Sequence, residues 1–219
     1  MTPRAFASLI WTFNLLPSVS CHGSWLPEGV DRTFMAERRA ITSPCHRYLS
    51  PWLLERAGLS GIYEFGFDDP FSRVVLLGEA EFVRLIILLG VLLRRELLSQ
   101  VINGAALASI RAAVGATEIG FIAASVGRFD IDVPRFMLSV PATGVAERLY
   151  RDGAVLLMDL FGDEKQAVTG RLRFRFPFGA GAVLQAPRFC SAIDARSLRA
   201  WVVEALVPRI LPAWMPLFS

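Results

Sequence analysis

Apolar residues are densest between Glu79 and Ile102: Phe82 and Val83, an unbroken run from Leu85 to Leu93, then Leu97, Leu98, Val101 and Ile102. No proline interrupts this stretch and most of its residues are good helix formers, so it predicts one helix. Its centre is apolar on every side and its ends are polar on one side only, the pattern of a helix buried among other elements. The nine apolar residues between Arg84 and Arg94 span ~14 Å at ~1.5 Å per residue, against ~30 Å of bilayer core, so a membrane span is not expected. Gly90 in its middle would let a neighbouring helix come close; the plain alternative is a tolerated local cost of ~1 kcal/mol relative to Ala.

Periodicity places the other elements around this one. Ser50 and Pro51 read as a cap and first helical residue, followed by WLLERA and a terminating Gly58. A short helix is expected from Glu28 to Arg39, and the residues from Leu59 to Phe71 read as an aromatic loop. Two Ala-rich segments follow the central helix, one opened by Asn103-Gly104 and one capped by Thr117. Residues 128–142 read as a loop, with FMLSV in it a possible short strand. Thr143 starts a longer helix to about Leu160, with Val145, Leu149, Leu156 and Leu160 inward and Gly162 ending it.

The period then changes. Leu172, Phe174 and Phe176 alternate with Arg171, Arg173 and Arg175, which predicts a strand with one apolar and one arginine face. With GAVLQA as the return, a small β-hairpin is expected near residues 170–186. Asp194 is expected to cap a last helix whose buried stripe is Leu198, Trp201, Val202, Ala205 and Leu206. The fold class is mainly α: a single compact domain over residues 1–219 around a buried central helix, with an irregular N-terminal segment at 1–27.

Composition sharpens this picture only slightly. The chain has 219 residues, 53% hydrophobic and 20% charged, with a mean hydropathy of +0.45. That is ample material for a core, with apolar surface to spare for a partner. The net charge is +3 and Lys165 is the only lysine, a weak basic bias with no readable nucleic-acid motif. Three cysteines, Cys21, Cys45 and Cys190, do not make a disulfide framework, and a reducing cytoplasm is the expected compartment. The N-terminal AFASLIWTFNLLPSVSC imitates a signal peptide, but Thr12 and Asn14 interrupt its apolar run, so it is read as part of the domain.

Candidate chemistry is sparse. Cys21-His22 and Cys45-His46 hold two of the three cysteines and both histidines. Four such ligands can hold zinc tetrahedrally, or a Cys-His pair can act in catalysis. Adjacent residues rarely face one metal, and nothing orients a histidine, so two unrelated dipeptides are the simpler reading. Gly179-Ala180-Gly181 lacks the third glycine of a dinucleotide loop, and no phosphate-binding loop is present. Asp68-Asp69 and the pair Asp130 and Asp132 read as caps and turns. Arg171, Arg173 and Arg175 are candidate contacts for an acidic partner, an anionic membrane or a nucleic acid, with solvated edge charges as the plain alternative. Trp214, Met215, Leu217 and Phe218 are candidate partner anchors, since aromatics and Met are typical hot-spot residues; docking onto the chain's own core is the alternative. No catalytic residue, cofactor or metal is assigned.

Three stretches taken together resemble the K-type accessory proteins of bacterial type III secretion systems, the SctK/YscK family. The first is FNLLPSVSCHGSWLP, through Phe13, Pro17, His22, Leu26 and Pro27. The second is the leucine-rich helix, through Leu89-Gly90 and Leu92-Leu93. The third is the C-terminal part, through Arg175 and Pro177 in RLRFRFPF and Pro212, Leu217 and Phe218 at the end. Ser20-Cys21 departs from the aromatic residue that relatives tend to carry before the histidine. The resemblance implies a non-enzymatic cytoplasmic adaptor of the sorting platform beneath the inner-membrane ring. Its implied partners are the cytoplasmic domain of the D-type ring protein and the Q-type pod protein, and through the latter the L-type stator and the ATPase. It implies neither nucleic-acid binding nor membrane insertion.

Overall fold

The computed structural model describes residues 1–28, 41–94, 108, 110–112, 114–125, 129, 144–162, 166–178 and 192–218. Among these residues every regular element is helical. The expected helix at Glu28–Arg39, the loop with FMLSV and the return strand GAVLQA lie wholly or almost wholly outside them; of the segment opened by Asn103-Gly104, residues 108, 110–112 and 114 are described as helix, with Ile110 and Val114 buried. The chain divides into two units: Met1–Glu79 with Asp163–Ala182 and Pro216–Ser219, and Ala80–Gly162 with Val183–Met215.

The first unit begins with a helix, α1 (Pro3–Leu15), where the sequence suggested an irregular segment. Thr2 caps it, its hydroxyl accepting from the Ala5 N–H at 3.2 Å, and Pro3 occupies the first turn, where its missing N–H costs nothing. The Pro-punctuated reading holds only after Leu16, where short 3-10 turns follow at Pro17–Val19 and Gly23–Trp25. Helix α2 (His46–Arg56) starts five residues before Pro51, running on directly from the helical turn that the sequence suggests at Ser43-Pro44, where His46 N–H bonds Ser43 O and Arg47 N–H bonds Pro44 O. Ser50 is therefore not its cap but a buried residue inside it. Ser18 ties the 3-10 turn to α2, with its Oγ 2.6 Å from Ser50 Oγ and 2.7 Å from His46 Nδ1. The end of α2 is as expected. Gly58 adopts φ +66°, its N–H bonds Glu55 O, and Leu59 N–H bonds Leu54 O at 2.7 Å, a left-handed cap that turns Leu59 into the core.

Cys21, Leu53, Leu54, Leu59 and Phe174 form one buried cluster here, flanked by Trp25 and Trp52. A long 3-10 turn, Pro70–Leu76, buries Phe71, Val74, Val75 and Leu76. Helix α3, the central one, is described over Glu79–Leu93, and the last third of the predicted helix, residues 95–102, lies outside the described residues.

The expected β-hairpin is not what forms. Residues 166–173 are a helix, here α6 (Gln166–Arg173), and Phe174, Arg175 and Phe176 continue it as tight turns with N–H bonds to Arg171 O, Leu172 O and Arg173 O. Alternation of period two does not describe such winding, at about three residues per turn. Leu172, Phe174 and Phe176 are buried, but so are Arg171 and Arg175; only Arg173 of the three arginines faces solvent.

In the second unit the central helix is buried as predicted, with Leu85, Ile86, Leu88, Leu89, Val91 and Leu92 at zero exposure. Ala116–Ala123 forms α4 and Val145–Phe161 forms α5, the latter between Gly144 and Gly162, both at positive φ. Of the two readings of Gly90, the close approach is the one that forms. A Cβ there would overlap the backbone carbonyl of Leu149, and a Cβ at Gly153 would overlap that of Ile86. Helix α3 and α5 thus cross backbone to backbone through one glycine from each. Beside the crossing, Arg94 Nε donates to Asp152 Oδ2 with both side chains buried, and Arg148 Nε lies 3.3 Å from Asp152 Oδ1.

The last long helix, α7, runs over Ala192–Trp201, widens into a π-turn at Val202–Leu206, and returns to α-helix at Val207–Ile210. Asp194 lies in its first turn and not at its cap. The predicted stripe of Leu198, Trp201, Val202 and Leu206 is buried, with Ala205 half-buried. Arg199 holds the end of α5, donating to Leu160 O at 2.6 Å and Phe161 O at 3.2 Å. A short helix, α8, runs over Met215–Phe218.

Candidate protein-interaction surfaces

Helix α1 carries two faces three residues apart. Trp11 points to solvent at 56% exposure, and Asn14 is fully buried. A buried amide needs partners, and Asn14 finds them in the backbone of the aromatic loop. Its Nδ2 donates to Glu64 O at 2.5 Å and its Oδ1 accepts from Glu64 N–H at 2.9 Å. One side chain so satisfies both backbone groups of one residue, as a rung of an antiparallel ladder does. With Glu64 held inward, its neighbours Tyr63 and Phe65 turn outward, at 45% and 49% exposure.

The alternation then slips by one residue. Glu64 Oε1 accepts the N–H of Gly66 at 2.7 Å. Gly66 is exposed and Phe67 turns back in, edge-on to Phe13 at 5.8 Å. From the other side Arg171 donates to Asn14 O at 3.2 Å and to Ala167 O at 3.1 Å, and its guanidinium lies 5.6 Å from the Tyr63 ring centre. Burial lowers the pKa of Arg171 from its ordinary value, and the Coulombic attraction of Tyr63 opposes that shift. Phe65 joins Trp11 and Tyr63, with ring centres 5.7 Å apart for Trp11–Phe65 and 6.0 Å for Tyr63–Phe65. The result is a contiguous exposed aromatic surface on a loop whose backbone is fixed from below.

The sequence-predicted residues fall differently. Arg171 and Arg175 are consumed inside the first unit: Arg175 donates to Val75 O, Leu77 O and Gly78 O at 2.9–3.1 Å, completing the end of the 3-10 turn. Arg173 is exposed. At the C-terminus Leu217 and Phe218 are buried, and Arg73 donates to Leu217 O at 3.0 Å. Trp214 is half-buried and Met215 exposed, so these two remain at the surface.

The Cys-His dipeptides are separated in role. Cys21 is buried and its thiol donates to Ser18 O at 3.7 Å; His22 Nδ1 accepts from Ser24 N–H at 3.2 Å near the surface. Cys45 is half-buried, 3.9 Å from the buried His46 through Sγ and Nδ1. Among the described residues no three His, Cys, Asp or Glu side chains gather where one metal ion would sit. Among them also no single helix is long and apolar enough to cross a membrane; Asp194–Ile210 and Pro212–Phe218 reach that length only as a pair bent by 119°.

The sequence marks Trp11 as one aromatic anchor of the N-terminal segment, beside Phe13 and Trp25, and 59–71 as an aromatic loop, but nothing in the pattern brings Trp11, Tyr63 and Phe65 together. The available signal was Asn14, a short polar side chain in an otherwise apolar helix face, together with the density of aromatics between Tyr63 and Phe71.

A family model described as YOP proteins translocation protein K (YscK) matches residues 9–212. No curated protein and no solved structure matches the chain.

Proposed function

The chain belongs to the YscK family of type III secretion proteins, and from that premise we propose that it is a non-catalytic adaptor of the sorting platform. In this reading it sits at the cytoplasmic face of the inner membrane. It joins the cytoplasmic domain of the D-type ring protein to the Q-type pod protein, and through the pod protein to the L-type stator and the ATPase. Family membership over nearly the whole chain carries the proposal.

The physical features support it. An adaptor has to present surfaces of fixed shape, and the first unit holds an aromatic surface with buried polar side chains rather than leaving it on a free loop. Arg73, Arg171, Arg175 and Arg199 are all committed to backbone carbonyls, which stiffens each unit. The test is reconstitution from purified components. The full chain is expected to co-elute with the ring protein's cytoplasmic domain and, separately, with the pod protein. A folded sample that binds neither overturns the adaptor reading.

A further inference from the structure

The chain's net charge is +3, yet the segment from Leu59 to Phe71 carries Glu64, Asp68 and Asp69 and no cation. Asp68 is exposed, and its Oδ2 lies 3.8 Å from where a Cβ on Gly66 would be, directly beside Phe65 in the chain. The nearest cation that follows, Arg73, is turned inward: it donates to Phe67 O at 2.8 Å and to Leu217 O, and it stacks at 5.3 Å on Phe6. Glu64 is buried and the buried Arg171 lies against Tyr63, so the exposed charges of the segment are Asp68 and Asp69, and the acidic flank of the aromatic surface lies on its Phe65 side.

Aromatic faces attract guanidinium and ammonium groups, and carboxylates beside them fix where the charge settles. We infer that this surface docks one occupant: a segment of a partner protein that carries an arginine or lysine beside a large apolar side chain. The apolar side chain packs on Trp11 and Phe65, and the cation stacks on an aromatic face within reach of Asp68. The loop is already held in shape by Asn14 and Arg171, so little ordering opposes association. The inference rests on the adaptor reading above and assigns this surface to one of its two partners.

The experiment uses the full-length chain, with the ring protein's cytoplasmic domain and the pod protein as two separate probes. Three proteins are compared by biosensor at low and high salt: wild type, the double variant Trp11→Ala/Phe65→Ala, and Asp68→Arg. All substituted side chains are exposed, and thermal melting checks that the variants keep the wild-type fold. The double variant is expected to weaken one probe about tenfold or more, the scale of a hot-spot loss, and to leave the other unchanged. Asp68→Arg is expected to weaken the same probe, chiefly through a slower association rate, and to flatten its salt dependence. Unchanged binding of both probes by the double variant overturns the assignment, as does equal loss of both or tighter binding by Asp68→Arg. If wild type itself binds neither probe, the adaptor reading falls and the assignment falls with it.

Discussion

Arg171, Arg173 and Arg175 are two residues apart in sequence and do two different jobs. Arg173 faces solvent, and Arg173→Ala is expected to change stability by no more than about 0.5 kcal/mol. Arg175 satisfies three carbonyls, those of Val75, Leu77 and Gly78. Replacing it by Leu leaves buried acceptors without donors, each costing about 1–3 kcal/mol, so Arg175→Leu is expected to lower stability by several times the Arg173 effect in urea titrations. Asp152 offers a second contrast. It is fully buried between Arg94 and Arg148. Asp152→Ala strands the Arg94 charge in the core, and the expected loss is about 3–5 kcal/mol. Removing both charges, as Arg94→Met with Asp152→Leu, is expected to recover most of that loss. A double variant as unstable as the single one would show that the pair does more than cancel its own burial cost.

Among elements, the central helix was the most legible in the sequence, because nine consecutive apolar residues have one physical outcome whatever packs on them. Gly90 was legible only in part: the sequence allowed either a close approach or a tolerated local cost, and the carbonyl of Leu149 decides for the first. That close approach yields a prediction opposite to helix propensity. Gly→Ala inside a helix ordinarily stabilises by up to about 1 kcal/mol. At Gly90 and at Gly153 the added methyl meets a backbone carbonyl, which cannot rotate away as a side chain can. Each substitution is expected to destabilise by about 1–3 kcal/mol, and Val at either site by more. A rise in melting temperature for Gly90→Ala would contradict the crossing. The stretch from Arg171 to Phe176 was misleading. Its alternation of arginine and apolar residues matches a half-buried strand only if arginine must face water. Backbone carbonyls at the end of a turn meet a guanidinium's needs as well as solvent does, and both arginine and phenylalanine positions are then free to face inward. The start of α2 was misplaced because a serine before a proline reads as a cap, whereas Ser50 is bonded to Ser18 across the first unit.

At the scale of the whole molecule, residues that hold the fold and residues left at the surface are adjacent in the chain, and the C-terminus separates them most sharply. The aromatic surface was not legible in advance, since Tyr63 and Phe65 look no different in sequence from the buried Phe67 and Phe71; the slip at Gly66 decides which way each points. The terminal group Trp214, Met215, Leu217 and Phe218 reads as one apolar cluster for the same reason, yet Leu217 and Phe218 are buried while Trp214 is half-buried and Met215 exposed. Leu217→Ala and Phe218→Ala are therefore expected to cost about 2–5 kcal/mol each, lowering the melting temperature and the cellular level of the protein together. Trp214→Ala with Met215→Ala is expected to leave the melting temperature within a few degrees of wild type. In a secretion assay the two classes then part. The buried pair is expected to reduce secretion in proportion to the protein lost, and raising expression is expected to restore it. If the surface pair contacts a partner, secretion falls at normal protein level and raised expression restores it only in part. If normal secretion accompanies Trp214→Ala/Met215→Ala, the terminal residues serve the fold alone, and the aromatic surface of the first unit is left as the candidate contact.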